Sequence, residues 1–288
     1  MQKGGKPKQI KKPQRQKPPG KELKMDPMPV SEKLQQKGSG KLENKIALIT
    51  GADSGIGKAV AILFAKEGAD IAVSYLNEHE DAEDTKARVE KYGRKCLLIP
   101  GDVSDEKHCV SLVKKTIKAF DRIDVLVNNA AIQIEAASLD DVKTKDLVKT
   151  FQTNIFSFFW ITKAALAHMK RGSNIINTTS VTAYRGSPAL IPYATTKGAI
   201  VAFTRSLSAN LADKGIRVNA VAPGPIWTPL IVSSFDPEKV AKHGSDVPMK
   251  RPGEPAEVAP CYLFLASDDA SYMTGQVVHP NGGEIVNG

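Results

Sequence analysis

The sequence predicts an α/β fold: one doubly wound parallel sheet with helices on both faces. Three observations predict it. Short apolar runs alternate with longer helical patterns from Lys45 to the end of the chain. Turn-forming residues close each run, as Gly51, Gly101-Asp102 and Asn128-Asn129 do. No stretch rich in Gly, Pro or Ser divides residues 41–288, so that region reads as a single domain. Alternation of this kind implies parallel strands joined by right-handed helical crossovers.

The first run is Ile46-Ala-Leu-Ile-Thr50, a strand buried on both faces. Gly51-Ala-Asp-Ser-Gly55-Ile-Gly57 and a helical pattern, Lys58 to Glu67, follow it. Strand, glycine-rich turn and helix form a cradle for a pyrophosphate: glycines admit the backbone, and the helix N-terminus offers N–H groups. The second strand is Ile71–Tyr75 and the next helix Asp81–Tyr92. The third strand is Cys96–Ile99, followed by a helix over Asp105–Phe120 with Asp105 as a cap. Ile123–Val127 is the fourth strand. Leu139–Met169 is read as largely helical, Ser173–Thr178 as the fifth strand and Tyr193–Asp213 as a helix. Arg217–Val221 and Val277-Val278 complete the sheet.

Residues 1–40 differ in kind. They carry 11 Lys/Arg against 3 Asp/Glu, hold six prolines and show no apolar period. The chain's net charge of +9 resides almost wholly there. Such a segment has too little apolar surface to offset its ordering entropy. A basic, flexible N-terminal arm is expected, dispensable for folding. With the remainder near neutral and no aromatic residue interleaved among the arm's charges, a nucleic-acid partner is not expected. The most apolar stretch, Phe151–Met169, is broken by Asn154, Lys163 and His168, so a membrane span is not expected either. Three scattered Cys with no metal-ligand spacing, and no apolar leader, suit a reducing, cytoplasmic setting. The five His are scattered as well, and no metal site is expected.

Ligands of doubly wound sheets bind outside the carboxyl ends of the strands. That edge collects the 51–57 loop, Tyr75, Asp102, Asn128–Ala131, Ser180 and Pro223-Gly224. Tyr193 and Lys197 stand four apart at the start of a helix, so they share one face. Pro192 suits the first turn of that helix, where a missing N–H costs nothing. A phenol near an ammonium can give or take a proton on an alcohol or carbonyl oxygen, and a Ser hydroxyl can hold that oxygen. The Tyr-Lys pair alone has little specificity; its place on the same edge as the other residues supplies the rest.

On these residues the chain resembles the short-chain dehydrogenase/reductase family over about residues 42–288, in particular a bacterial subgroup of uncharacterised oxidoreductases and aldehyde reductases with an N-terminal extension. Thr50–Gly57 is similar to its coenzyme loop, and Asn128-Asn-Ala-Ala131 to its Asn-Asn-Ala-Gly element, with Ala131 in place of the usual Gly. The resemblance implies a Rossmann-type domain and NAD(P)-dependent interconversion of an aldehyde or ketone with an alcohol. It implies a catalytic set of Asn154, Ser180, Tyr193 and Lys197. In it Tyr193 is the acid/base, Lys197 lowers its pKa and holds the ribose, and Asn154 supports a proton route. The coenzyme residues it implies are Gly51, Asp53, Ser54, Gly55, Ile56 and Gly57 in the loop, and Tyr75, Leu76 and Asn77 at the ribose. Asp102 and Val103 lie at the adenine, Asn129, Ala130 and Ala131 at the next strand end, and Pro223, Gly224, Ile226 and Thr228 at the carboxamide, with Tyr193 and Lys197 again. A homotetramer is also implied.

NAD is the expected coenzyme, with NADP possible. No acid ends the second strand, no Arg follows it, and Glu78, Glu80 and Asp81 would repel a 2′-phosphate. Lys58 follows the last glycine and is expected to point away. The segment from Thr228 to Arg251 reads as a lid over a small carbonyl or alcohol substrate. Two alternatives stay open: a nucleotide-binding regulator without turnover, and an epimerase with tightly held coenzyme.

Overall fold

In a computed structural model, which describes residues 6–35 and 37–286, seven parallel strands stand in the order β3-β2-β1-β4-β5-β6-β7. They are β1 (Ile46–Thr50), β2 (Asp70–Tyr75), β3 (Cys96–Pro100), β4 (Val125–Asn128), β5 (Asn174–Thr178), β6 (Arg217–Val221) and β7 (Val277–Val278). Register follows the apolar runs: Ala47–Ile49 lies against Val125–Val127 on one side and Ile71–Val73 on the other. The strand order reverses direction between β1 and β4. A crevice opens at such a switch point.

Helices α1 (Gly55–Lys66), α2 (His79–Glu90) and α10 (Pro255–Ala266) share one apolar core. Phe64 and Tyr262 are fully buried there, each worth about 1.5–3 kcal/mol of burial. On the other face α3 (Glu106–Phe120), α5 (Ser157–Leu166) and α7 (Ile191–Leu211) cover Leu48, Leu126, Ile175 and Val218. Between the layers, buried amide N–H groups find partners. Asn128 Nδ2 donates to Asn177 Oδ1 at 3.0 Å, and Asn177 Nδ2 to Thr204 Oγ1 at 3.0 Å.

Three elements depart from the sequence reading. The region read as largely helical over 139–169 begins only at α4 (Thr144–Phe151) and passes through a π-helical turn, Gln152–Phe156, before α5. Helix α10 escapes periodicity because its sequence is apolar nearly all round and carries Pro255 and Pro260. Short helices α6 (Thr182–Arg185), α8 (Pro229–Ser234) and α9 (Pro237–Lys242) complete the loops, the last two within the expected lid.

The arm is the largest departure. Its described residues lie against the domain and bury Glu22, Met25 and Ser31. Ile10 and Lys11 donate backbone N–H groups to Ala241 O, and Gln16 to Val232 O. Trp227 Nε1 donates to Pro27 O at 2.8 Å, and Ala256 N to Val30 O at 2.9 Å. The expected flexible arm, solvated or loosely docked, is in its described residues a strap held on the domain. Composition could not foresee it, because the strap is held by its backbone and by a few residues rather than by an apolar face of its own.

Candidate active site

The carboxyl ends of β1, β2, β4 and β5 open into a cleft of about 1230 Å³. Single ligand pockets span about 300–1,000 Å³, so this one has room for a dinucleotide and a small substrate together. Its walls include every sequence-predicted site residue except Gly57, Asn77 and Asn154. Gly57 is a packing glycine: a Cβ there would stand 2.1 Å from Gly51 O. Gly51, at φ 63°, needs the left-handed conformation to turn the chain from β1 into the cleft. Asn129 fastens this turn to the neighbouring strand, donating through Nδ2 to Thr50 O at 3.0 Å and Gly51 O at 3.1 Å. Thr228 packs on Gly55, where a Cβ would stand 3.1 Å from Thr228 Cγ2. At the end of β2 the Ser74 hydroxyl is buried without a hydrogen-bond partner. A glycine turn too tight for side chains and an unpaired hydroxyl on the wall both fit a nucleotide.

Tyr193 lies in the first turn of α7, where Pro192 starts the helix. Burial pushes its phenol up to about 12, with a hydrogen bond involving Ser180 acting in the other direction. One turn on, Lys197 is fully buried; its Nζ donates to Thr178 O at 2.8 Å and lies 5.3 Å from the Tyr193 ring centroid. Burial lowers the ammonium to about 7. Burial is the largest influence on the Tyr193 phenol, ahead of the Ser180 hydrogen bond. Ser180 stands just past β5 with Oγ accepting Thr182 N at 3.2 Å.

Asn154 sits behind the cleft in the π-helical turn, a deviation that occurs frequently at functional sites. Its amide clamps the loop after β4: Oδ1 accepts Ile132 N at 2.9 Å, and Nδ2 donates to Ile132 O at 2.8 Å and Thr196 Oγ1 at 3.2 Å. Three of the four hydrogen bonds open to a buried amide are thereby made.

The family described as Enoyl-(Acyl carrier protein) reductase matches residues 51–284. An uncharacterised oxidoreductase of Bacillus subtilis, YhdF, is 60% identical over 269 residues, 93% of each chain. An NADPH-dependent aldehyde reductase of Arabidopsis thaliana is 52% identical, covering 93% of this chain and 96% of that one. A short-chain dehydrogenase of Burkholderia cenocepacia, solved in complex with NADP, superimposes with a TM-score of 0.80 at 32% identity, over 84% of this chain and 98% of that one. The chain belongs to the short-chain dehydrogenase/reductase family. It is an oxidoreductase acting between alcohol and carbonyl groups with a nicotinamide nucleotide.

Some features of this dehydrogenase were not visible in its sequence. Asp102 is paired with Lys149, Nζ to Oδ2 at 2.6 Å, and accepts Ser104 N at 2.8 Å. Burial would raise the Asp102 carboxyl, but these partners outweigh it and hold it below the usual range. A basic residue three turns into a helical pattern had no signal to mark it. Asp53 is half-buried on the cleft wall. Burial pushes its carboxyl up to about 7, and nearby Asp81 and Glu22 add to the rise against hydrogen bonds from its own N–H and Ser54. The acids after β2 are less free than their spacing suggested. Asp81 accepts two strap N–H groups, at 2.7 and 3.2 Å, and Lys21 lies 3.6 Å from Glu78 and 3.1 Å from Glu80. Lys58 does point away: it is buried against Glu22 and Asp84. Asn77 is outside the cleft wall, and Leu76 is 44% exposed on it.

Among the described residues no group of three or more His, Cys, Asp or Glu is placed to hold a metal ion. No helix among them is long and apolar enough to cross a membrane. His243, half-buried within the lid segment, is pushed down to about 4 by desolvation.

Proposed function

We propose that Tyr193 is the acid/base of a carbonyl reductase whose substrates are small aldehydes, including the open forms of sugars. The observation that carries this is the convergence of Tyr193, Ser180 and Lys197 at the end of β5, on the wall that continues into the glycine-rich loop. When bound, the nicotinamide ring supplies the hydride to the carbonyl carbon. Tyr193 gives the proton to the carbonyl oxygen, and the Ser180 hydroxyl holds that oxygen. A phenol near 12 is fully protonated at neutral pH and so is ready for the reductive direction. Lys197 faces the ribose and is the route by which Tyr193 regains its proton. Asn154 holds the loop after β4 in place. The cleft beyond Tyr193 is lined by Ile132, Leu190, Ile231 and Phe235, with Gln133, whose Nε2 donates to Ser234 Oγ at 2.7 Å. Names of relatives support the class: the Arabidopsis protein is an aldehyde reductase, and a Daucus carota relative at 51% identity is a glucose and ribitol dehydrogenase.

NAD is the expected coenzyme, supported by Tyr75 and Leu76 at the end of β2 and by the Asp53 carboxyl on the cleft wall. A second reading, NADP, is favoured by Lys21, which offsets Glu78 and Glu80, and by the NADPH dependence and NADP complex of the relatives named above. The ratio of kcat/KM for NADH and NADPH on one aldehyde decides between them; a tenfold preference corresponds to about 1.4 kcal/mol. A homotetramer in the cytoplasm is also proposed. The tetramer is supported by the apolar surface on α4, the π-helical turn and α5, where Leu147, Val148, Phe156 and Phe159 are exposed.

Tyr193→Phe tests the central role. Carbonyl reduction should fall by about 10²–10⁴-fold, the usual worth of general acid–base catalysis, with coenzyme affinity nearly unchanged. A variant retaining a tenth of the wild-type rate would remove Tyr193 from the mechanism. Turnover itself distinguishes this reading from a silent nucleotide-binding regulator.

A further inference from the structure

The strap passes three parts of the active site in turn. Lys8 N donates to Ser245 Oγ, and the 10–19 stretch binds Ala241 O, Val232 O and Ser233 Oγ, all in or beside the lid helices α8 and α9. Met25 then packs in one buried cluster with Tyr193, Leu190, Trp227 and Phe235. Between these, Glu22 reaches the coenzyme loop. Its Oε2 accepts the N–H of Gly55, the first residue of α1, at 2.6 Å.

The Glu22 carboxylate is buried, and burial of a charge demands a partner. Lys58 Nζ lies 2.7 Å from Glu22 Oε1 and 2.7 Å from Asp84 Oδ2. Asp84 pairs in turn with Arg88 Nε at 2.9 Å, and Arg88 Nη1 lies 3.8 Å from Glu32. The chain of charges alternates in sign and begins and ends on the strap. Lys58 therefore lets the strap grip the glycine-rich loop without leaving a bare negative charge beneath a phosphate. Ser31 Oγ also donates to Glu22 at 3.2 Å, which fixes the carboxylate from the strap side.

We propose that Glu22 is a positioning residue for the coenzyme, and that the strap couples the lid to the glycine-rich loop. The inference rests on the nicotinamide dinucleotide occupying the cleft as proposed above. Pro19 and Gly20 line that cleft too, so the strap touches the same space from its outer side. A Cβ at Gly20 would stand 2.9 Å from Pro229 O, so the strap meets α8 there too closely for a side chain. If the strap positions the loop for coenzyme, coenzyme must in return stabilise the strap, because coupling between sites is reciprocal.

The test uses the full-length protein. The coenzyme dissociation constant is read from nicotinamide fluorescence for wild type, Glu22→Ala and Glu22→Gln, with kcat at saturating coenzyme and hydrogen exchange of residues 14–31 and 229–242. Glu22→Ala should raise the dissociation constant about tenfold while kcat stays within about threefold. Glu22→Gln keeps an oxygen for the Gly55 N–H and should recover most of the affinity. In wild type, NADH or NADPH should slow exchange in both segments. In Glu22→Ala it should slow only 229–242. A folded Glu22→Ala with wild-type affinity overturns the inference. So does wild-type exchange over 14–31 that coenzyme leaves unchanged, a result that holds even if the variant does not fold. A wild type that binds neither coenzyme overturns the underlying functional reading along with it.

Discussion

Lys197→Met should make the coenzyme-free protein more stable near pH 6 and should lose that advantage by pH 9.5. The ammonium is fully buried, and desolvation lowers it from 10.5 to about 7. Between those two values the unfolded chain binds more protons than the folded one, so stability rises with pH across that window. Below pH 7 the folded protein carries the whole cost of charging a buried amine, about 5 kcal/mol at 1.36 kcal/mol per pKa unit. At pH 9.5 one unit of the window is left, about 1.4 kcal/mol. Methionine fills similar space without a charge, but it leaves Thr178 O without its donor, at about 1–3 kcal/mol for a buried unpaired group. The net gain is then about 2–4 kcal/mol at pH 6 and near zero at pH 9.5. The raised Tyr193 phenol is common to both proteins and largely cancels. Urea unfolding at the two pH values measures this; with slopes of about 1–3 kcal/mol/M the midpoint gap at pH 6 should be about 1 M or more. A gap independent of pH, or a variant less stable at pH 6, would show that Lys197 is not held neutral by burial. The same variant should be inactive, so the residue would trade stability for chemistry.

Three further outcomes are expected. Alcohol oxidation should rise with pH while carbonyl reduction stays nearly flat from pH 6 to 9, because a phenol near 12 must lose its proton only in the oxidative direction; equal profiles for the two directions would contradict this. Preference for NADPH over NADH should fall between pH 6 and 8 as the Asp53 carboxyl, near 7, gains its charge, and Asp53→Asn should flatten the ratio measured by kcat/KM at each pH. Phe159→Asp should lower the mass seen by light scattering, since that ring is 53% exposed beside Phe203 on the face proposed to pair; an unchanged mass would place the interface elsewhere.

The fold was legible because its signals are local. Runs such as Ile46–Thr50 and Arg217–Val221 became strands with the same ends as expected. The loop 51–57 was legible for the same reason: strand, glycines and helix lie within about twenty residues. Tyr193 and Lys197 were legible as a pair because helical geometry ties residues four apart. What could not be read depends on separation in sequence. The Lys149–Asp102 pair spans 47 positions, and Glu22 meets Gly55 across 33. Neither distance has a period, so no pattern along the chain could announce it.

The sign of an electrostatic effect was also out of reach. Sequence places an ammonium near a phenol, and from that alone the phenol should acidify. The structure buries both groups, and desolvation then dominates: Tyr193 moves up and Lys197 moves down. Two groups pushed apart in this way are both uncharged at a pH between about 7 and 12, where the phenol can hand a proton to an oxygen but cannot take one. Taking a proton back requires charge to appear at the pair, and a site this enclosed favours that only when an opposite charge enters with the coenzyme. On the roles proposed above for Tyr193 and Lys197, their burial makes proton transfer wait for the coenzyme. The strap, with Met25 in the same buried cluster as Tyr193 and with Glu22 bonded to the glycine-rich loop, contributes to that enclosure from both sides.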